Sequence, residues 1–313
     1  MKVLNPIYDT VFKFLMEDIE IAQGLISLII EEDVVELIPA PQEQSTAKLK
    51  IKYNQLELQR LDYVAVIKTI DKQGKDFFQK VSIEVQKSPF APEIGRFRKY
   101  VGEKYRKKTT YKSQESVQTE YLPIKTIYFV DKTFNNDLPV ILRRKGEYWD
   151  VLEHKRYKGQ KDKYVELLNH DSWFIQVEKL PTDMKNELLH VLSVFAPWIR
   201  DEEDERFIEI PQKIESLKKY QLLNKIINRL QLAGNDKNLE VSLELEMSYE
   251  NYIEEAFKEK KEALKRAKED RKQKKDVLEK LAKKMLKYGE PIDEITKETG
   301  LSKAEIKKLY SKN

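Results

Sequence analysis

Two runs rich in β-branched and aromatic residues, Arg60–Ile70 and Phe77–Lys87, are separated by the short polar stretch Asp71–Asp76, with Gly74 as its turn residue. This pattern predicts a β-hairpin. Each run is interrupted by an acid that breaks an otherwise buried-looking sequence: Leu61-Asp62-Tyr63-Val64 in the first and Ile83-Glu84-Val85 in the second. The midpoint between Asp62 and Glu84 falls at residue 73, inside the turn. A symmetric hairpin therefore sets the two acids opposite one another, with Cβ atoms about 5 Å apart and within joint reach of one cation. A buried carboxylate is costly unless it is paired or bound to metal. Period two puts Gln86 on the Glu84 face of its strand and Val85 and Lys87 on the other. Lys87 reaches the first face only through a bulge or by curling its long stem around the strand end. The alternative is structural: Asp62 and Glu84 as ion-pair partners of Arg60, Lys68 or Lys87.

Around this hairpin the pattern alternates between helix and strand. Asp9 caps or begins a helical stretch over residues 9–31, in one piece or two, with Val11, Phe12, Leu15 and Ile19 at helical spacing. Val34–Ile38 reads as a short strand ended by Pro39-Ala-Pro41. A helix opens at Pro92 and runs to about Lys108. Leu122–Val130, apolar on both faces apart from Lys125 and Thr126, reads as a buried central strand. The order is α-β-β-β-α-β, and strand-like pieces follow at Val140–Arg144 and Trp173–Val177. Helices are expected at Asp183–Arg200, 213–233 and 239–287, with Gly234-Asn235 as the break between the last two. The C-terminal residues form a short helix over Pro291–Thr299, a turn at Gly300-Leu301-Ser302 with Ser302 as N-cap, and a last helix over Ala304–Tyr310, the helix-turn-helix pattern.

Composition narrows the chemistry. The 313 residues contain no cysteine and three histidines, so disulfides and thiolate zinc sites are excluded, and a metal site would rest on carboxylates that suit a hard cation. The longest apolar run, near Leu25–Ile30, is too short to cross a bilayer, and the N-terminus lacks the apolar core of a signal peptide, which predicts a cytoplasmic protein without a membrane partner. No Gly-rich phosphate loop is present, which argues against a nucleotide cofactor. The net charge of +4 is unevenly spread. Residues 258–287 hold 14 Lys/Arg against 6 Asp/Glu, whereas the preceding body is acidic. The basic segment is either a nucleic-acid surface or a solvated charged helix.

The α-β-β-β-α-β order, with Asp62 in the second strand and Glu84-Val85-Gln86 in the third, resembles the PD-(D/E)XK nuclease superfamily. More closely, the chain is similar to the recombination-promoting nuclease/putative transposase (Rpn) branch. The carrying segments are Asn5-Pro6-Ile-Tyr-Asp9-Thr-Val-Phe12-Lys13, Arg60-Leu-Asp62, Ile83–Lys87, Arg96-Phe-Arg98-Lys99-Tyr100, Leu168–Ser172 and the C-terminal Ile295…Gly300-Leu301-Ser302…Ile306. The resemblance implies an α+β fold with a restriction-endonuclease-like αβββαβ core and a mainly helical C-terminal extension. It implies a nuclease-like domain over 1–205, a helical extension over 206–275 and a small helix-turn-helix-like region over 276–313. It also implies a metal-dependent deoxyribonuclease of low sequence specificity, linked to recombination or mobile elements. Asp62 and Glu84 would hold Mg2+, with Mn2+ or Ca2+ as substitutes, and the Val85 carbonyl would complete the coordination. Asp9 matches an additional acidic position and either joins the centre or only starts its helix. Gln86 stands where a catalytic lysine is usual. It supplies no positive charge, so that charge would come from Lys87, Lys13, Arg96 or a second metal, or the centre is weakened. The runner-up is a catalytically weak DNA-binding or regulatory protein. Arg96, Arg98 and Lys99 on one helix, and Lys307 and Lys308 on the last, are the DNA-contact candidates, and a phosphate track could extend through Lys104, Arg106, Lys107 and Lys108. The long charged helix is a candidate for pairing between subunits, although its apolar repeat is irregular.

Other motifs carry less. His170-Asp171-Ser172 are adjacent, and adjacent residues on a strand alternate faces, so they do not form a triad. His154 and His190 are isolated. Trp149, Trp173 and Trp198 are expected to fill the core.

Overall fold

The computed structural model describes residues 1–39, 45–51, 54–60, 63–70, 74–86, 101–112, 116–131, 137–159, 162–168, 170–215 and 220–310. For 45–51, 54–60, 86, 163, 164, 213, 215, 253, 254, 257 and 310 the backbone alone is described. The chain divides into two units, Met1–Glu250 and Asn251–Asn313.

The first unit opens with β1 (Lys2–Leu4). Asn5 then turns the chain. Its side-chain oxygen accepts from the Ile7 amide at 3.1 Å, and its side-chain nitrogen donates to the Glu205 carbonyl at 3.0 Å. α1 (Asp9–Met16) and α2 (Ile19–Ile30) are two helices because Asp18 starts the second, accepting hydrogen bonds from the Glu20 and Ile21 amides. Then come β2 (Val34–Pro39), the hairpin of β3 (Ser45–Ile51) and β4 (Asn54–Arg60), and the strands β5 (Tyr63–Ile70) and β6 (Asp76–Gln86). Gly74 takes φ +77 in the turn between β5 and β6, a conformation that costs glycine little. The β5–β6 pairing runs from Tyr63↔Ile83 to Ile70↔Asp76, so it is centred on residue 73, as the spacing predicts.

Residues 101–106 form helix α3. The hairpin β7 (Thr109–Lys112) and β8 (Val117–Glu120) precedes β9 (Ile124–Val130), whose seven residues are all buried. β10 (Ile141–Arg144), the short pair β11 (Trp149–Asp150) and β12 (Lys155–Arg156), α4 (Lys163–Leu168) and β13 (His170–Gln176) follow. Trp149 departs from expectation: it is 59% exposed on β11, whereas Trp173 is buried in the core.

The single helix expected over Asp183–Arg200 is also corrected. α5 (Glu187–Leu192) is one short helix, followed by 3-10 turns at Ser193–Phe195 and Pro197–Ile199. Proline lacks an amide donor and pushes the preceding residue to extended backbone, here Ala196 at ψ 142, so the helix cannot continue. β14 (Phe207–Glu209), α6 (Gln212–Glu215) and α7 (Gln221–Ala233) lead to the long α8 (Lys237–Lys287).

The central sheet has the order β10-β13-β9-β6-β5-β2. Its middle strands β6, β9 and β13 are parallel, and β10, β5 and β2 pair antiparallel outside them. The fold is thus a mixed α/β unit on a mixed sheet. One face of that sheet is apolar: Ala65 and Ile67, Val81 and Ile83, Ile127 and Phe129, Trp173 and Ile175 belong to the main core with α1 and α2. The Phe12 ring lies 5.4 Å from that of Phe129. Burying side chains of this kind contributes about 1.5–3 kcal/mol each, which makes this face the main source of stability.

The late elements close on the first. β14 pairs antiparallel with β1, and α7 packs on α1 and α2. Gly24 of α2 allows the approach, since a Cβ there would stand 2.9 Å from a methyl of Leu222. The Arg229 guanidinium covers the Phe14 ring at 3.8 Å and donates to the Phe14 carbonyl.

In the second unit, α9 (Ile292–Thr299) and α10 (Lys303–Tyr310) join the last turns of α8. Ala282, Ile295, Leu301 and Ile306 form a small core with Leu278, Met285 and Leu286 around it. Gly300, at φ +68, ends α9 in the left-handed conformation. Ser302 and Glu305 form a capping box: the Glu305 side chain accepts from the Ser302 amide at 3.0 Å, and the Ser302 hydroxyl accepts from the Glu305 amide at 3.3 Å. The turn and its cap are those expected from the sequence.

Candidate functional site

The face of the sheet opposite α1 and α2 is polar along its three parallel strands. The register aligns Ser82 of β6 with Thr126 of β9 and Ser172 of β13, and in the next row Glu84 with Tyr128 and Phe174. Period two explains the segregation, since Val81, Ile83, Ile127, Phe129, Trp173 and Ile175 alternate with these residues and take the core side.

Hydrogen bonds tie the polar rows together. The Thr126 hydroxyl donates to Ser172 Oγ at 3.0 Å and lies 2.8 Å from His170 Nε2. If Thr126 donates to Ser172, His170 Nε2–H must donate to Thr126. α3 supplies two further groups. The buried Lys104 ammonium donates to Ser82 Oγ, and the Tyr105 ring meets the His170 ring edge-on at 5.8 Å. In the next row the Tyr128 and Phe174 rings stack with centroids 4.9 Å apart.

Glu84 sits on this face, 8% exposed. Two residues of β6 separate it from Ser82, about 7 Å along the strand. Val85 points to the other side, partly buried against the main core.

The other residues singled out in the sequence divide three ways. Asp62, Lys87, Arg96, Arg98 and Lys99 lie outside the described residues, and Gln86 is described by backbone alone, as the last residue of β6. Asp9 and Lys13 are the first and fifth residues of α1, on the apolar side of the sheet, and their side chains form an ion pair. Asp9 begins α1 but does not cap it. The cap is the buried Glu246 of α8, whose carboxylate accepts from the Asp9 amide at 2.8 Å and the Thr10 amide at 2.9 Å. Lys307 and Lys308 are exposed on α10. Lys68, offered in the sequence as an ion-pair partner for the two acids, is bonded instead to Asp76 at 2.8 Å. Among the described residues no group of three or more His, Cys, Asp or Glu side chains is placed to hold a metal ion.

Lys104 corrects one expectation. It is not part of an outward track with Arg106, Lys107 and Lys108, which are exposed; it turns inward to the sheet. Its helical phase shared with Val101 and Tyr105, both partly buried, is the signal that could have placed it. His170 and Ser172 do share a face, but Asp171 points away, accepting from Arg143 at 3.1 Å and from the Gly146 amide at 3.1 Å. The three residues therefore build no nucleophilic triad.

The electrostatics favour a neutral imidazole and a positive surround. Burial pushes the His170 pKa down, and the positive charges of Arg144 and Lys104 push the same way against the opposing pull of Asp171. The polar face thus combines a buried carboxylate at Glu84, a buried ammonium at Lys104 and a cluster of hydroxyls. The oxygen donors suit a hard divalent cation, and the ammonium suits a phosphate.

Set against family models, curated proteins and solved structures, the chain matches none.

Proposed function

We propose that this protein is a metal-dependent DNA endonuclease with a restriction-endonuclease-like core, as its resemblance to the Rpn branch of the PD-(D/E)XK nucleases implies. The observation that carries the reading is Glu84, a buried carboxylate on the polar face of the sheet, in a hairpin whose last described pair is Tyr63↔Ile83. Asp62 lies outside the described residues; the hairpin symmetry expected from the sequence would set it opposite Glu84, where the two acids would share one cation with the Val85 carbonyl. A divalent ion such as Mg2+ bound there would polarise the scissile phosphate and lower the pKa of the attacking water. Glu84 and Asp62 would hold it. Lys104, held through Ser82 on the same face, provides the positive charge that Gln86 lacks. The hydroxyls of Thr126 and Ser172, bonded to each other and to His170, hold the polar row beside them. Asp9, bonded to Lys13, starts α1 and has no assigned catalytic part.

The test uses supercoiled plasmid with Mg2+ or Mn2+. Wild-type protein nicks or linearises it, whereas Asp62→Ala and Glu84→Ala do not, while both still bind DNA. Equal cutting by all three proteins would trace the activity to a contaminant and end the proposal. A second reading, a DNA-binding protein with a weakened centre, is favoured by Gln86 in the lysine position. It predicts binding without cutting in either metal.

A further inference from the structure

The cations of α8 are sorted by helical phase. At 100° per residue, Lys260, Lys261, Lys265, Lys268, Arg271, Lys272 and Lys275 fall within one arc of about 140°. Over 260–275 the only other residue in that arc is Leu264. The remaining perimeter carries Glu262, Glu269 and Asp270 with Arg266 and Lys274, so it is close to neutral. All these side chains are exposed. Fifteen helical steps make the stripe about 22 Å long. It lies wholly in the second unit and runs into the side of α8 that packs α9 and α10, where Lys275 bonds Glu305 of α10 at 2.9 Å.

Such a stripe costs helix stability. Lys261–Lys265, Lys268–Lys272 and Arg271–Lys275 are like-charged pairs at i,i+4, each unfavourable by about 0.2–0.5 kcal/mol. Among the described residues Lys275 alone of the seven has an ion pair, whereas Arg266 on the opposite side lies 3.7 Å from Glu262. The surface is therefore one of repelling charges that a polyanion would relieve. A lipid surface fits poorly, because a helix lying in a membrane interface needs a broad apolar face and the arc offers only Leu264. An acidic protein partner fits poorly as well, since the stripe has no aromatic residue and Leu264 as its one aliphatic one, whereas stable protein interfaces centre on clustered aromatic and Arg anchors. A DNA backbone presents regularly spaced phosphates and asks for no such anchor.

We propose that this face of α8 is a sequence-independent docking surface for the phosphate backbone of duplex DNA, leading toward Lys307 and Lys308 on α10. The choice of DNA rests on the nuclease reading; the surface itself does not require catalysis. The test measures binding of the full chain to a scrambled-sequence duplex in EDTA across a salt series. Replacing Lys261, Lys265 and Lys268 by Gln is compared with replacing Lys258, Arg266 and Lys274 by Gln, which removes equal charge outside the arc. Each lost phosphate contact lowers the slope of log Kd against log salt by about 0.9. The stripe variant should therefore lose about 2–3 units of slope and at least about tenfold in affinity at low salt, and the control little. Arg at the same three stripe positions should restore the slope, which separates lost charge from lost folding. An unchanged slope, an equal drop in the control, or binding to phosphatidylserine vesicles but not to duplex would each overturn the proposal. Because binding is read without metal, loss of cutting with this slope effect intact would count against the nuclease centre alone.

Discussion

The two faces of the central sheet are made from the same strands, yet they do different work. On one face Ile127, Phe129, Trp173 and Ile175 pack against α1 and α2 and are almost completely buried. On the other, Ser82, Glu84, Thr126, His170 and Ser172 are joined by hydrogen bonds to one another or to α3, or lie beside those that are. Each face also holds a buried lysine. Lys125 on the apolar side is paired with Glu32 and lies against the Trp173 ring, whereas Lys104 on the polar side bonds Ser82. The difference teaches that apolar packing is concentrated on one face, with a smaller cluster of Val66, Tyr111 and Leu122 on the other, which leaves the parallel strands of the second face room for polar groups that the main core would not accept.

The sharpest test of this division compares one residue from each face. Phe129→Ala should lower stability by about 3–5 kcal/mol in urea unfolding. Glu84→Ala should take plasmid cutting to background with less than about 1 kcal/mol of stability lost. A large destabilisation by the second would show that Glu84 is structural and would erase the contrast. Next, Lys104→Met should reduce cutting about 100-fold, in the range seen when an electrostatic group is removed from a reacting oxygen, and Lys104→Arg should recover part of it. Equal cutting by wild type and the Met variant would leave Lys104 as packing alone.

Lys125 should behave in the opposite manner. Removing one member of a buried ion pair is costly when the charge left behind stays dry; the Glu32 side chain is 34% exposed and is hydrated once Lys125 is gone, so Lys125→Met should unfold within about 1 kcal/mol of wild type or later. Burial pushes the Lys125 pKa down despite Glu32, which shows how unwelcome the charge is on that side.

The smallest effect concerns His170. Its folded pKa lies below the ordinary value of about 6.5, so the unfolded chain binds the proton more readily. Stability is therefore complete above pH 6.5 and declines as pH falls through the folded pKa. The slope of unfolding free energy between pH 6.5 and 5 should flatten in His170→Gln, and an unchanged slope would remove His170 from the account.

Much of this architecture was legible in the sequence because it is local. The hairpin centre at residue 73, the buried character of β9, the break at Gly234-Asn235 and the Gly300–Ser302 turn all follow from spacing and turn chemistry over fewer than about 25 residues. Pairings across long sequence separations were not legible. β1 with β14 and Glu246 at the start of α1 leave no periodic trace, and two- or three-residue strands such as β11 and β12 are too short to show one. Within the candidate site, alternation correctly split His170 and Ser172 from Asp171. The inward turn of Lys104 was missed because a lysine among Arg106, Lys107 and Lys108 reads as surface. Trp149 was placed inside on residue type, and the apolar Tyr148, Val151 and Leu152 beside it gave no local sign that it is exposed.

The Glu246 carboxylate at the first amides of α1 has a consequence for how the protein is made. During synthesis the opening helix emerges more than two hundred residues before the group that completes its first turn, and its neighbours β14 and α7 also arrive late. The first turn of α1 stays unfinished until residue 246 has been added. A message cut short upstream of residue 246 would thus release a product whose beginning, though fully translated, lacks its closing bond.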